Sequence, residues 1–199
     1  MMAVASAGAL AAASDAGTGT TPAAATPPAI AAPAPAQDSA SAPSPPIVKV
    51  EDDSPVITTL ERPNFTLKYP SNWKEDVTAK DYDANTNFTL VSPKISYIQF
   101  TLRPKSDDPA KIVADTVKKL DGPAITTLSK TKLDEWGGHK GQGYHLKGKI
   151  VGSFPGGIKV FVFSSPHFNV LIIEDYFSDE LRDVQEDFDY ISENFKMKN

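Results

Sequence analysis

The chain has 199 residues, a net charge of −5, 40% hydrophobic residues and no cysteine. The missing cysteines exclude disulfides, thiolate catalysis and cysteine-ligated metals or clusters, and an acidic balance without a Lys/Arg block excludes a nucleic-acid footprint. No run of about 18 apolar residues occurs, so no transmembrane helix is predicted.

Composition divides the chain in two. Residues 1–46 hold 18 Ala and 8 of the 17 Pro, no aromatic residue, and only Asp15 and Asp38 as charges. Such a segment buries too little to offset its ordering entropy, so 1–46 is expected to be a disordered Ala/Pro-rich tail or linker, with polyproline character near Pro27–Pro35 and Pro43–Pro46. Residues 47–199 are of a size for a single domain with its own core. Met1 to Ala13 is mildly apolar, and Ala11 to Ala13 offers small residues for a signal cleavage site. No Lys or Arg precedes Lys49, so the positive n-region of a secretory signal is missing. Ala/Pro/Thr/Ser tethers often join a folded domain to an envelope, so a periplasmic or secreted location is expected, with the cytoplasm as the alternative. There is no cysteine for a lipoprotein anchor.

Ile47 to Asp53 reads as an extended stretch ending in the acidic run Glu51-Asp52-Asp53. Val56–Leu60 and Phe65–Tyr69 read as two strands of a hairpin, joined by the turn Glu61-Arg62-Pro63-Asn64. In the second, Phe65, Leu67 and Tyr69 alternate with Thr66 and Lys68, so one face is apolar. Pro70 with Ser71 and Asn72 ends it, and Trp73 follows as a core anchor whose indole N–H needs a partner. Lys74 to Thr86 is expected to be a surface loop or short irregular helix. A strand around Phe88 and Leu90, closed by Pro93, pairs antiparallel with Tyr97–Arg103. Asp107-Asp108-Pro109 starts a helix whose Ile112, Val113, Thr116, Val117 and Leu120 share a face, and Gly122-Pro123 ends it.

Ile125–Leu133 reads as a strand, Asp134 to Gly138 as a turn, and Tyr144, Leu146, Gly148 and Ile150 as one face of the next strand. Gly152 to Gly157 is expected to be a hairpin turn. Ile158–Phe163 and Val170–Ile173 are apolar on both faces, which requires a strand covered on both sides. A short connection makes them an antiparallel hairpin, and the sheet they centre therefore needs helices on both faces. The last element supplies one. Ser178 is expected to cap a helix, with Asp179 and Glu180 in its first turn. Leu181, Val184, Phe188, Ile191 and Phe195 form its apolar stripe, and Lys196 and Lys198 lie at its C-terminal end.

Few residues suggest chemistry. His139 and His145 could share a strand face but are about 20 Å apart by strand rise, and with His167 they make no zinc-ligand spacing. Asp107, Asp108 and Asp115 lack the pattern of a calcium loop. Ser153, Ser164 and Ser165 have neither a nucleophile elbow nor a base. The many glycines between 137 and 157 form no phosphate-binding motif. Asn64-Phe-Thr66 and Asn87-Phe-Thr89 match the glycosylation sequon, a very common pattern. No catalytic, cofactor or metal residue is assigned.

The order of elements resembles the PsbP-like superfamily, which includes the photosystem extrinsic protein, Mog-type Ran-binding proteins and bacterial envelope proteins. The resemblance is carried by Phe65-x-Leu-x-Tyr-Pro-x-x-Trp73, by the helix near Pro109–Leu120, by the late antiparallel hairpin, and by the closing Ile191-Ser-Glu-Asn-Phe195, similar to the family's I-x-x-S-F ending. It spans roughly residues 56–197. It implies an α+β fold, an α/β/α sandwich about a central antiparallel sheet, and a non-catalytic binding or assembly role. The manganese-cluster role of the photosynthetic members has no matching residues here, and the basic docking surface expected of a photosystem subunit is absent from this acidic chain.

The expected function is thus a non-enzymatic interaction or assembly-accessory module for another protein, exported and tethered by 1–46, without cofactor. The alternative is a small-ligand or lipid-binding domain with a pocket between sheet and helix near Trp73, Trp136 and Tyr144. A third reading is an enzyme using Asp81, Asp83, Asp134 and Glu135. Nothing in the sequence sets an oligomeric state.

Overall fold

Two strands buried on both faces dictate the layers. In the computed structural model, which describes residues 56–198, these strands are β8 (Phe154–Ser164) and β9 (Phe168–Phe177). The expected tail 1–46, the stretch Ile47–Asp53 and the signal-like segment lie outside the described residues. β8 and β9 centre a seven-stranded antiparallel sheet. On one side follow β5 (Tyr97–Pro104), β4 (Asn87–Val91) and the two-residue β3 (Lys74–Glu75); on the other follow β7 (His139–Ile150) and β6 (Ile125–Trp136). The α+β sandwich is as expected.

Each face of the sheet has its own cover. Helix α1 (Pro109–Leu120) starts as predicted. Asp108 is its N-cap, its Oδ1 accepting from the Ala110 amide at 2.9 Å, and Pro109 occupies the first turn. Val113 and Val117 pack onto Leu146, Ile158, Val160, Val162, Leu171 and Ile173.

The opposite face is covered by more than a helix. β1 (Ile57–Glu61) and β2 (Phe65–Pro70) form the predicted hairpin, but as a separate three-stranded sheet with β10 (Phe195–Met197). This sheet and α2 (Leu181–Glu193) close on Phe88, Phe100, Phe161 and Ile172. The second sheet is a correction. Phe195 is not the last residue of the helical stripe, because α2 stops at Glu193, and Lys196 and Lys198 lie beyond the helix rather than in its last turn. As a strand, Phe195 pairs with Leu67, and its ring packs at 4.9 Å on Phe100 and 5.4 Å on Phe65. A helical Phe195 would leave the edge of β2 unpaired.

Three boundaries also differ. The cap of α2 is Glu180, with helical backbone and no side-chain cap bond, while the Ser178 amide donates to Pro155 O at 2.9 Å. The β6–β7 turn is only Gly137-Gly138, with φ of 52° and 80°, a primed two-residue turn, so Asp134 to Trp136 are strand residues. Pro155, Gly156 and Gly157 belong to β8, and the turn before them is Val151 to Ser153. Glycine is needed at 157, where a Cβ would come within 2.5 Å of the Tyr176 hydroxyl oxygen. Lys74 to Thr86 contributes β3 and is otherwise loop, as expected.

Trp73 is buried, and its indole N–H donates to Asp187 Oδ2 of α2 at 2.7 Å. Its ring meets Phe188 edge-on at 5.4 Å. The turn after β2 is thus fastened to the C-terminal helix.

The packing of Phe195 yields a prediction. Phe195→Ala empties a site enclosed by aromatic rings, and a loss of about 3–5 kcal/mol is expected, read from urea unfolding at constant slope. Truncation after Phe177 removes α2 and β10 together and is expected to abolish cooperative unfolding. A truncated chain with a sharp thermal transition would show that neither element is needed.

Candidate functional site

The polar side chains gather in two places, one open and one closed. The open place arises because one helix covers too little of a seven-stranded sheet. α1 packs against β7, β8 and β9, and the same face of β4 and β5 is left bare. Residues there alternate to the outside of the core, so they are polar: Asn87 on β4, and Gln99, Thr101 and Arg103 on β5. The result is a trough of about 730 Å³ between these strands and the flank of α1.

Its floor is a hydrogen-bonded strip. Asn87 stands opposite Thr101 in the ladder, and Asn87 Oδ1 accepts from Gln99 Nε2 at 3.1 Å and Thr101 Oγ1 at 2.8 Å. Asn87 Nδ2 donates to Asp81 O at 2.7 Å, tying the strip to the loop before β4. Leu171 and Ile173 of β9 provide an apolar seam beside α1. The helical wall alternates in charge through Lys111, Asp115 and Lys119. Asp115 is held below the usual carboxylate range by its hydrogen bond to Lys111. Arg103 pairs with Asp107 at 3.1 Å at one end. A trough of this kind supplies donors and acceptors along a line, with an apolar edge and both signs of charge.

The closed place lies under α2. Lys159, inside the first apolar run, and Glu174, just past the end of the second, stand opposite each other on β8 and β9. Glu174 is almost wholly buried. Its Oε1 accepts from Trp136 Nε1 at 2.6 Å. Lys159 Nζ lies 2.7 Å from Oε2, close enough for an ion pair although Oε2 makes no geometrically aligned hydrogen bond. In the next register position, His145 Nε2 lies 2.6 Å from the Tyr176 hydroxyl. Burial, then the charges of Lys159 and Lys147, push His145 down to about 4. Burial, then Glu174, raises Tyr176 to about 12. At neutral pH a neutral imidazole therefore shares a hydrogen bond with a protonated phenol. The groups pair with one another inside the fold and link β6, β7, β8 and β9.

The other expected residues are dispersed. His139 stacks on Phe163 at 4.1 Å, its Nε2 lies 3.0 Å from Phe195 O, and His167 is exposed between β8 and β9. Asp83 accepts from the Asn85 and Thr86 amides in a turn, Asp134 pairs with Lys132 at 2.9 Å, and Glu135 is exposed on β6. Asp81 and Asp83 precede β4, while Asp134 and Glu135 lie on β6, five positions across the sheet and so about 24 Å away by strand spacing. One cleft does not hold all four. Among the described residues no group of three or more His, Asp or Glu is placed to hold a metal. Asp107, Asp108 and Asp115 lie along the trough, where Asp108 is used as the helix cap. Ser164 Oγ donates to Asn169 Oδ1 at 2.6 Å, and Ser165 Oγ to Phe168 O at 3.0 Å.

Trp73, Trp136 and Tyr144, expected to line one pocket, lie on different sides of the sheet. Both tryptophans are core residues, while Tyr144 packs on the α1 side of the sheet with Lys130 over its ring. Gln99 and Thr101 carry no sequence signal beyond strand alternation, and the sequon at Asn87 does not point to the trough. Lys159 is a charge inside a run read as apolar on both faces.

No family model matches the sequence, and no curated protein matches it. Among solved structures, the chain is similar to the cyanobacterial PsbP protein CyanoP of Synechocystis, at 13% identity and a TM-score of 0.46, over 71% of this chain and 92% of that one. It is also similar to LpqN, involved in cell envelope biogenesis of Mycobacterium tuberculosis, at 16% identity and a TM-score of 0.44, over 74% and 94%. A Bacteroides thetaiotaomicron protein matches at 11% identity and a TM-score of 0.42, over 68% and 45%.

The His145–Tyr176 pair predicts an acid-side instability. The folded value, about 4, lies below the ordinary 6.5, so between those values the unfolded chain binds more protons. Stability is then full above about pH 6.5 and lost as pH falls toward 4. The imidazole is half-exposed, so after screening the loss is about 1–2 kcal/mol. Asp175, raised by burial, acts with the opposite sign in the carboxylate range. His145→Gln is expected to flatten the slope in urea unfolding between about pH 7 and about pH 5. An unchanged slope would assign it to other groups.

Proposed function

We propose that this is a non-catalytic interaction module, exported and carried on its N-terminal segment 1–46, and that it receives a polar, extended segment of a partner protein in the trough between α1 and β4–β5. The observation that carries the reading is the trough itself, a bare half of a sheet face whose Asn87–Gln99–Thr101 strip is aligned along the strands. Its apolar seam and alternating charges suit a peptide backbone with mixed side chains. The motif resemblance implies a binding role, and the internal pairing of Glu174 with Lys159 and of His145 with Tyr176 supports a non-catalytic one. The segment 1–46 supplies a spacer of tether composition, which supports an envelope setting.

Two variants test the trough. Thr101→Trp fills it and Lys119→Glu reverses a charge on its wall. Envelope fractions passed over immobilised full-length protein are expected to yield a partner that both variants lose by at least about tenfold, with thermal unfolding showing each variant folded. A partner retained equally by both would place its binding elsewhere. No partner above background across several growth conditions would count against the module reading as a whole.

A further inference from the structure

A second surface lies at the opposite end of the sheet's logic, on the tip of the β7–β8 hairpin. Val151 has φ of 47°, the one positive φ outside glycine among the described residues. That conformation is a genuine outlier for a β-branched residue, and glycine would adopt it without strain. Packing does not explain the valine, which is 72% exposed. Beside it Phe154 is 59% exposed, meeting only Phe177 edge-on at 6.0 Å among aromatic rings. On the neighbouring strand a register shift between Thr127 and Ser129 turns out Leu128, also 72% exposed. Three large apolar side chains thus project from one end of the sheet.

Cations stand at the same end but on the opposite face of the sheet from Phe154, which shares the Ile150 face. Lys147 and Lys149 alternate on one face of β7, leading to the tip, and both are exposed. Among the described residues neither joins an ion pair, whereas Lys94, Lys111, Lys132, Lys159 and Lys198 each do. Asp121, at the end of α1, is turned to the Thr127 amide at 3.3 Å. Asp179, exposed beyond β9, subtracts one charge from this end.

We propose that this tip docks onto an anionic lipid surface, with Val151, Phe154 and Leu128 entering the headgroup layer and Lys147 and Lys149 meeting lipid phosphates. A protein partner is the weaker fit. A stable protein interface needs about 800 Å² per side with matched shape, and a convex hairpin end offers isolated side chains instead. An apolar tip of this size that enters end-on, with cations along one flank, suits the boundary of a bilayer, which such groups enter by about 5–10 Å. Each lysine near an anionic surface adds attraction that salt screens.

The test is flotation of the full chain with vesicles of phosphatidylcholine containing about 30% phosphatidylglycerol, against phosphatidylcholine alone, at low and high salt. Association with the anionic vesicles only, weakened by salt, is expected. Lys149→Glu is expected to lower it by roughly tenfold or more. Val151→Gly separates binding from folding, because it relieves the φ strain and raises the melting temperature while lowering vesicle association. Phe154→Ser lowers association as well. All variants keep the same N-terminal segment, so the differences report the tip. Absence of association with anionic vesicles, equal association in wild type and variants, or loss by the tip variants of a captured protein while vesicles are ignored would each overturn the proposal.

Discussion

The domain hangs on the burial of Phe195. This one ring lies against Phe65 of β2, Phe100 of β5, Phe163 of β8 and the Trp136–His139 hairpin end. It therefore touches both sheets at once. Its backbone completes the three-stranded sheet by pairing with Leu67. Without it, β1 and β2 would be a lone hairpin, which is marginal in water, and one face of β8 and β9 would be poorly covered. The bond between Trp73 and Asp187 makes the same connection a second time, from the turn after β2 to the middle of α2.

The trough follows from a mismatch of widths. Seven strands at about 4.8 Å spacing make a face nearly 30 Å across, while a helix covers about 10 Å. On one side the shortfall is filled by α2 together with the small sheet. On the other, α1 sits to one side, and the bare strands carry polar residues that bond one another. Glu174 and Lys159 belong to the filled side. Such a buried pair is weak evidence for stability, yet with Trp136 it spans β6, β8 and β9, and it favours one register among strands that are otherwise interchangeable aliphatic runs.

Much of the layering was legible in the sequence. The doubly apolar runs Ile158–Phe163 and Val170–Ile173 required cover on both faces, and Asp108-Pro109 marked the start of α1. Val184, Phe188 and Ile191 marked the buried face of α2. The second sheet was not legible, because Phe195 continues the helical period by coincidence. A strand of three residues has too little pattern to announce itself, and only pairing with β2 defines it. The glycines at 156 and 157 read as a turn because their packing reason, the approach of Ile150 and Tyr176, is non-local. The trough floor was invisible for a related reason. Asn87, Gln99 and Thr101 are ordinary outward residues of their strands, and what distinguishes them is that no helix lies above.

The placement of β10 also bears on how the chain reaches its native state. The strand that closes the small sheet pairs with β2 about 130 positions earlier, so the loop closed by their pairing is almost the whole domain. A topology so rich in distant antiparallel contacts folds slowly among domains of its size. Until α2 and β10 pack, the apolar faces of β2, β8 and β9 have no permanent cover. A chain in that condition exposes those faces until β2 and β10 meet, so its native shape waits on its most distant pairing.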